Sequence, residues 1–275
     1  MKLNNASLPD VSIAKPSYDR SEISVGIVHF GVGGFHRAHQ AMYLDRLLEK
    51  GQAKEWGGIC GVGVLPGDRK MATVMADQDG LYTLILMNPD GTRDARVIGS
   101  IVDYKFAPDD PEAVIELIAA PTTRIVELTI TEGGYAIDDA GPDSVFGLVT
   151  TALGRRKERG LPSPTIVSCD NIEGNGDVAR EAFTSFAERT QPDLAEWMKA
   201  NTRFPPNSMV DRITPPVTTP DVIENLAADC DLDDEWPVAA EPFTAWVLDD
   251  DFSDGRPPPT TRSACCWSTT SRRMS

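Results

Sequence analysis

Ile27-Val28-His29-Phe30-Gly31-Val32-Gly33-Gly34-Phe35-His36-Arg37-Ala38-His39 reads as a buried strand, a glycine turn and the start of a helix. The strand is expected over Ser24–Phe30, and the helix runs on to about Lys50, closed by Gly51 as a C-cap. Its apolar face is written by Ala38, Ala41, Leu44, Leu47 and Leu48 at three- and four-residue spacings. A strand that feeds a glycine turn into a helix start makes an anion site. Unpaired backbone N–H groups and the positive end of the helix dipole face one spot there. The pyrophosphate of a dinucleotide fits such a spot, and the candidate contacts are Ile27, Phe30, Gly31, Val32, Gly33, Gly34, Phe35, His36 and Arg37. His36 stands where the G-x-G-x-x-G pattern has its third glycine.

The 275 residues suffice for one large domain or two modest ones, and 41% hydrophobic with 25% charged residues is ordinary globular composition. A formal net charge of −16 argues against nucleic acid, which is gripped mainly by Lys and Arg, and against anionic membrane surfaces. Five irregularly spaced cysteines without a CxxC pair give neither a disulfide framework nor a structural zinc site. The start lacks a signal-peptide core and no apolar run has membrane-spanning length, so a cytoplasmic location is expected.

Along the chain, residues 1–22 are expected as an extended surface leader. Gly58–Leu65 is a second buried strand, followed by Asp68, placed where a dinucleotide fold grips the adenosine ribose; the competing reading is a plain turn aspartate after Pro66-Gly67. Leu81–Met87 and Arg96–Val102, joined by Asn88-Pro-Asp-Gly91, predict a β-hairpin insertion. Pro111–Leu117 is a helix capped by Asp109 or Asp110. Arg124–Ile130 is a third strand leading to Glu132, and after a helix over 144–159 the strand Thr165–Ser168 leads to Asn171. Further helices cover 176–190 and 194–200, and more strand is expected near Asn207–Pro215 and within Pro237–Asp249. Alternation of strands with helices gives an α/β fold: a Rossmann-like, mostly parallel sheet with helices on both faces, spanning residues 23–255. Ligands in such sheets sit beyond the carboxyl ends of the strands, where the glycine turn, Asp68, Glu132 and Asn171 all fall.

From Arg256 the composition changes. The last twenty residues hold four Arg, no acid and eight Ser or Thr, so no packed element is expected there. Residues 256–275 read as a disordered tail or as the product of a frameshift, the latter preferred because permitted codons give a strand-like pattern in a second frame.

Gly31-Val-Gly-Gly-Phe-His-Arg-Ala-His-Gln40, Thr129-Ile-Thr-Glu-Gly-Gly-Tyr135, Ser168-Cys-Asp-Asn171 with Asn175-Gly176, Met209-Val-Asp-Arg-Ile-Thr-Pro215, and Trp236-Pro-Val with Glu241-Pro-Phe243 occur in this order. Together they resemble the mannitol dehydrogenase family of polyol-specific long-chain dehydrogenases, nearer its mannitol 2-dehydrogenase branch than its mannitol-1-phosphate or hexuronate branches. The resemblance implies NAD-linked, metal-independent interconversion of a polyol with its ketose, such as mannitol with fructose, and a monomer at full length. Residue by residue, Gly31, Gly33 and Gly34 match the phosphate turn. Asp68 matches the ribose acid, whose charge favours NAD over NADP. Asn171 matches an oxyanion asparagine, Glu132 a proton-exchange glutamate and Asp211 an aspartate near the substrate. The family's catalytic lysine, second asparagine and histidine lie in a K-x4-N-x2-H segment that these 275 residues lack. A helical substrate domain is likewise expected to be missing. The alternatives are a catalytically inactive nucleotide-binding fragment and a fructuronate or tagaturonate reductase-type member.

Blander readings compete at several positions. His29, His36 and His39 are read as packing of the turn, with no metal, because no further Cys or His completes a tetrahedral set. Cys169 reads as a buried thiol. Glu132 also suits a turn cap, and Asp211 an ion pair with Arg212.

Overall fold

The computed structural model describes residues 1–53, 56–211, 218–253, 255 and 265–268, with backbone alone at Asp211 and 265–268. In chain order the elements are β1 (Val25–Phe30), α1 (Gly34–Ala38), α2 (Gln40–Glu49), β2 (Gly58–Gly63), α3 (Arg69–Asp77), β3 (Tyr82–Met87), β4 (Arg93–Ile98), β5 (Ile101–Phe106), α4 (Pro111–Ala119) and β6 (Ile125–Leu128). There follow α5 (Val145–Glu158), β7 (Thr165–Ser168), α6 (Asn175–Thr190), α7 (Pro192–Asn201), β8 (Ser208–Asp211), α8 (Pro220–Cys230), β9 (Val238–Ala240), β10 (Ala245–Asp249) and β11 (Cys265–Ser268).

The main sheet has five parallel strands in the order β5-β2-β1-β6-β7. Period-two alternation splits each strand between two cores. Val28 and Phe30 of β1 and Val126 and Leu128 of β6 face the apolar sides of α4, α5 and α6. On the other face, α2 and α3 pack near Ile59 and Ile101. Leu248 and Trp246 of β10 cover Ile27, Ile125 and Val167. Local signals fix the helix starts. Asp110 accepts from Ala113 N–H with Pro111 behind it, and Ser144 from Gly147 N–H.

Several expectations need correction. The first helix is interrupted at His39 (φ −120°, ψ −91°), whose ring Nδ1 meets the Phe35 carbonyl at 2.5 Å. The expected hairpin arm Arg96–Val102 is two strands in two sheets. β4 pairs antiparallel with β3, whereas β5 is an edge of the parallel sheet. Between them, Asp45 accepts from Gly99 N–H, and the Arg20 guanidinium donates to the Gly99 and Ile101 carbonyls. Those polar anchors turn the chain from one sheet to the other. Pro237–Asp249 divides in the same way, with β9 beside β3 and β10 beside β8. Helices α3 and α8 lay outside the sequence expectation.

Residues 1–22 are not merely a surface leader. Leu3 and Val11 are buried with Leu81, Val97 and Leu232, and Tyr18 donates to Asp45 at 2.6 Å. Each buried aliphatic side chain contributes about 1.5–3 kcal/mol, enough to hold this segment on the domain. Of the tail, Cys265–Ser268 forms a strand parallel to β10, where no regular element was expected. The remainder from Arg256 onward lies outside the described residues, apart from this strand, as do Arg212 to Pro215.

Candidate functional site

The order of strands reverses beside β1: the chain steps outward through β2 and β5, then returns to place β6 on the other side. A crevice opens beyond the carboxyl ends of β1 and β6 at such a reversal. The glycine turn lies there. Gly31 has φ +90°, and a Cβ on it would stand 2.0 Å from the Thr129 carbonyl oxygen. The Gly31 carbonyl accepts from Gly33 N–H at 2.7 Å, closing a tight turn before α1. A Cβ on Gly33 would meet nothing nearer than 3.9 Å, so that side of the turn is open.

Ile27, Phe30 and Val32 pack below the turn. His36 and Arg37 are buried behind it, so their side chains support it and do not line its open side. Arg37 Nε lies 3.3 Å from the Gly33 carbonyl, its terminal nitrogen donates to the Trp236 carbonyl, and the Tyr82 hydroxyl donates to the Arg37 carbonyl at 2.6 Å. Burial pulls the guanidinium pKa down to about 10. The Phe35 and His39 rings meet at a tilt of 48° with centroids 4.3 Å apart.

Beneath the turn lies a buried polar cluster. In-register pairing of β1 with β6 sets His29 opposite Glu127 on one face of the sheet. His29 Nδ1 is 2.8 Å from Glu127 Oε2, and its Nε2 is 2.9 Å from Thr129 Oγ1. The His36 ring stacks on His29 with centroids 3.4 Å apart at 16°, and its Nε2 lies 3.8 Å from Glu127 Oε2. Two histidines and a carboxylate this close suggest a metal centre, a grouping the sequence reading did not assemble. The arrangement is that of a shared proton. Nδ1 and Oε2 stand 2.8 Å apart, which is hydrogen-bond distance, so a proton lies between them here.

Burial, then the neighbouring His29, Arg37 and His39, holds the His36 pKa well below the ordinary histidine value. The unfolded chain therefore takes up this proton first. The corresponding stability is present above about pH 6.5 and is lost as the pH falls below it. His36→Phe, which keeps a stacking ring, should flatten the stability profile between pH 6.5 and 5.5. Wild type should lose up to about 1.4 kcal/mol more per pH unit there. Urea titrations at several pH values measure it, and parallel profiles for the two proteins would refute it.

Asp68 ends the 3-10 turn Pro66–Asp68 beyond β2, and its Oδ2 accepts from Val64 and Leu65 N–H at 2.9 Å each. It therefore is a turn aspartate, as the blander reading had it. Its neighbour Arg69 is occupied in an ion pair with Asp109 and lies 4.0 Å over the Phe106 ring. Glu132 and Asn171 are both exposed beyond β6 and β7. They are drawn together by a residue that sequence reasoning quoted without assigning a role, Asp170. Its buried carboxylate accepts from Ile130 N–H (3.1 Å), Thr131 N–H (2.8 Å) and Tyr135 O–H (2.7 Å). Thr131 is held at φ +66°, ψ 164°, a conformation costly for a β-branched residue. Cys169 is buried at the end of β7, 3.2 Å from Ser208 Oγ, and burial pushes its thiol pKa well up, the opposite of an activated nucleophile. Asp211 ends β8, in register with Ala245; its side chain lies outside the described residues.

Parallel strands with a glycine turn at the reversal define a Rossmann-type α/β domain. Residues 25–260 match the mannitol dehydrogenase Rossmann domain, and the chain belongs to that family. Mannitol 2-dehydrogenase of Pyricularia oryzae is 44% identical over 284 residues, covering 94% of this chain and 56% of the relative. That of Phaeosphaeria nodorum is 45% identical over 278 residues, covering 94% and 48%. Among solved structures, Pseudomonas fluorescens mannitol 2-dehydrogenase in ternary complex with NAD and D-mannitol superposes with a TM-score of 0.90 at 42% identity, over 98% of this chain and 58% of that one. A substrate-free D-sorbitol dehydrogenase gives 0.89 at 40% identity, over 98% and 59%. The chain thus spans about half the length of the curated relatives it matches. No helix among the described residues is long and apolar enough to cross a membrane.

Proposed function

We infer that the glycine turn, Asp68 and the crevice between β1 and β6 bind NAD, and that the whole protein oxidises a polyol such as mannitol to its ketose. The observation that carries this reading is the turn itself. Gly31 lies so close to β6 that no side chain fits, while the far side of Gly33 is open for an anion. The Pseudomonas fluorescens relative, whose structure is a ternary complex with NAD and D-mannitol, supports the choice of ligands.

Bound there, NAD supplies the hydride acceptor for the alcohol carbon. The chain's own residues bind and orient. Asp68 Oδ2 is committed to its turn, which leaves Oδ1 to accept from ribose hydroxyls, and the same charge repels a 2′-phosphate. The exposed Asn171 amide donates toward a developing oxyanion. Glu132, on its loop beside Asn171, exchanges a proton with water. Asp211 contacts the substrate.

The full 275-residue chain should be stabilised by NAD by about 5–10 °C at a hundredfold excess over Kd. Mannitol oxidation should stay at background, because the lysine segment is not among these residues. Asp68→Ser should reduce the preference for NAD over NADP by roughly tenfold. Absence of protection would refute the binding reading, and turnover by this chain would refute the assignment of the base to the missing segment.

A further inference from the structure

The histidine–glutamate pair and the glycine turn are joined through one hydroxyl. Thr129 Oγ1 lies 2.7 Å from the Gly31 carbonyl and 2.9 Å from His29 Nε2. A hydroxyl has one proton, and the Gly31 carbonyl can only accept, so that proton goes to Gly31. Thr129 Oγ1 must then accept from His29, which places a proton on Nε2. The other ring nitrogen faces the Glu127 carboxylate at 2.8 Å, so a second proton lies between Nδ1 and Oε2. The hydroxyl now has one direction: His29 Nε2 donates to Thr129, and Thr129 donates to the carbonyl of Gly31, while Glu127 holds the opposite ring nitrogen.

That carbonyl is the hinge of the turn. It also accepts from Gly33 N–H at 2.7 Å, and Gly31 itself is held at φ +90°. Thr129 in turn is anchored by its own N–H on the Phe30 carbonyl at 3.0 Å. The hydroxyl is therefore braced from the sheet on one side and from the buried pair on the other, and it acts on the backbone of the turn.

We propose that Thr129, oriented by the His29–Glu127 pair, is the positioning residue of the glycine turn: its hydroxyl fixes the Gly31 carbonyl and thereby sets the affinity of the turn for the dinucleotide. The affinity part rests on the cofactor reading above; the positioning part stands without it.

The test uses the full chain with Thr129→Val, which keeps the shape and removes the hydroxyl, and Thr129→Ser, which keeps the hydroxyl. Thr129→Ala is a second hydroxyl-free variant should the valine protein not fold. Two measurements are made: NAD affinity by calorimetry, and amide hydrogen exchange of peptides covering residues 30–36, with peptides of β7 as the control for global stability. The hydroxyl-free variants should bind NAD roughly tenfold more weakly. Their turn amides should exchange several-fold faster while β7 is unchanged. Thr129→Ser should stay within about twofold of wild type in both readouts. Unchanged exchange at the turn in the hydroxyl-free variants, or equal losses in serine and valine proteins, overturns the proposal. Failure of wild type to bind NAD refutes the cofactor reading alone, and the exchange data still decide whether Thr129 fixes the turn.

Discussion

Gly31→Ala should lower the unfolding free energy by about 3–5 kcal/mol and remove all protection by NAD. Two costs add. A residue with a Cβ is strained at φ +90°, and the new methyl would stand 2.0 Å from the Thr129 carbonyl oxygen. That oxygen belongs to the backbone just past β6, in the middle of the parallel sheet, so it cannot rotate away as a side-chain end does. Relief requires the turn to swing outward, which breaks its bonds from Thr129 and Gly33. Gly133→Ala provides the control. A Cβ there meets nothing within 4 Å, so the change should stay within about 0.5 kcal/mol. Urea denaturation and NAD-dependent thermal shifts measure both variants. A Gly31→Ala protein with wild-type stability and binding would show that the turn is neither as tight nor as central as described.

The turn was legible because its causes are local. An apolar run, glycines at fixed offsets and a helical apolar stripe are all written within about 25 residues, and the cap at Asp110 is equally local. The cluster behind it was not. His29 and Glu127 are 98 positions apart, and only the register of β1 against β6 brings them face to face. The sequence did carry a clue: a glutamate in the middle of Ile125-Val-Glu-Leu128 cannot be buried alone, so it asks for a cationic or donor partner on a neighbouring strand. His29, which the register of β1 sets opposite it, answers that need. The hairpin misreading has a related origin. Arg96–Val102 looks continuous by residue type, and the switch between sheets at Gly99 depends on Asp45 and Arg20, which come from elsewhere in the chain.

Asp170→Ala should cost about 3–5 kcal/mol and loosen the loop that carries Glu132. The carboxylate gathers two backbone N–H groups and the Tyr135 hydroxyl in a site only 7% exposed, and Tyr135 also touches Ser168 Oγ at 2.6 Å. Without it the Ile130 and Thr131 N–H groups lose their acceptor, and Thr131 is released from the contact that opposes relaxation of its φ of +66°. Asp170→Asn should rescue little. Oδ1 serves Thr131 N–H, and Oδ2 serves Ile130 N–H and Tyr135 O–H, so either flip of an amide sets its NH2 against a donor. Tyr135→Phe removes one of the three bonds and should cost about 1–2 kcal/mol. Strain supplies the discriminating test. If Asp170 holds Thr131 in its unfavourable conformation, Thr131→Gly should gain about 1 kcal/mol or more in the wild-type background and less in the Asp170→Ala background, where the strain is free to relax. A double-mutant cycle from urea unfolding should then give a non-zero coupling between the two sites. Strict additivity would mean that the loop is shaped by its own residues, and that Asp170 is an ordinary buried acceptor.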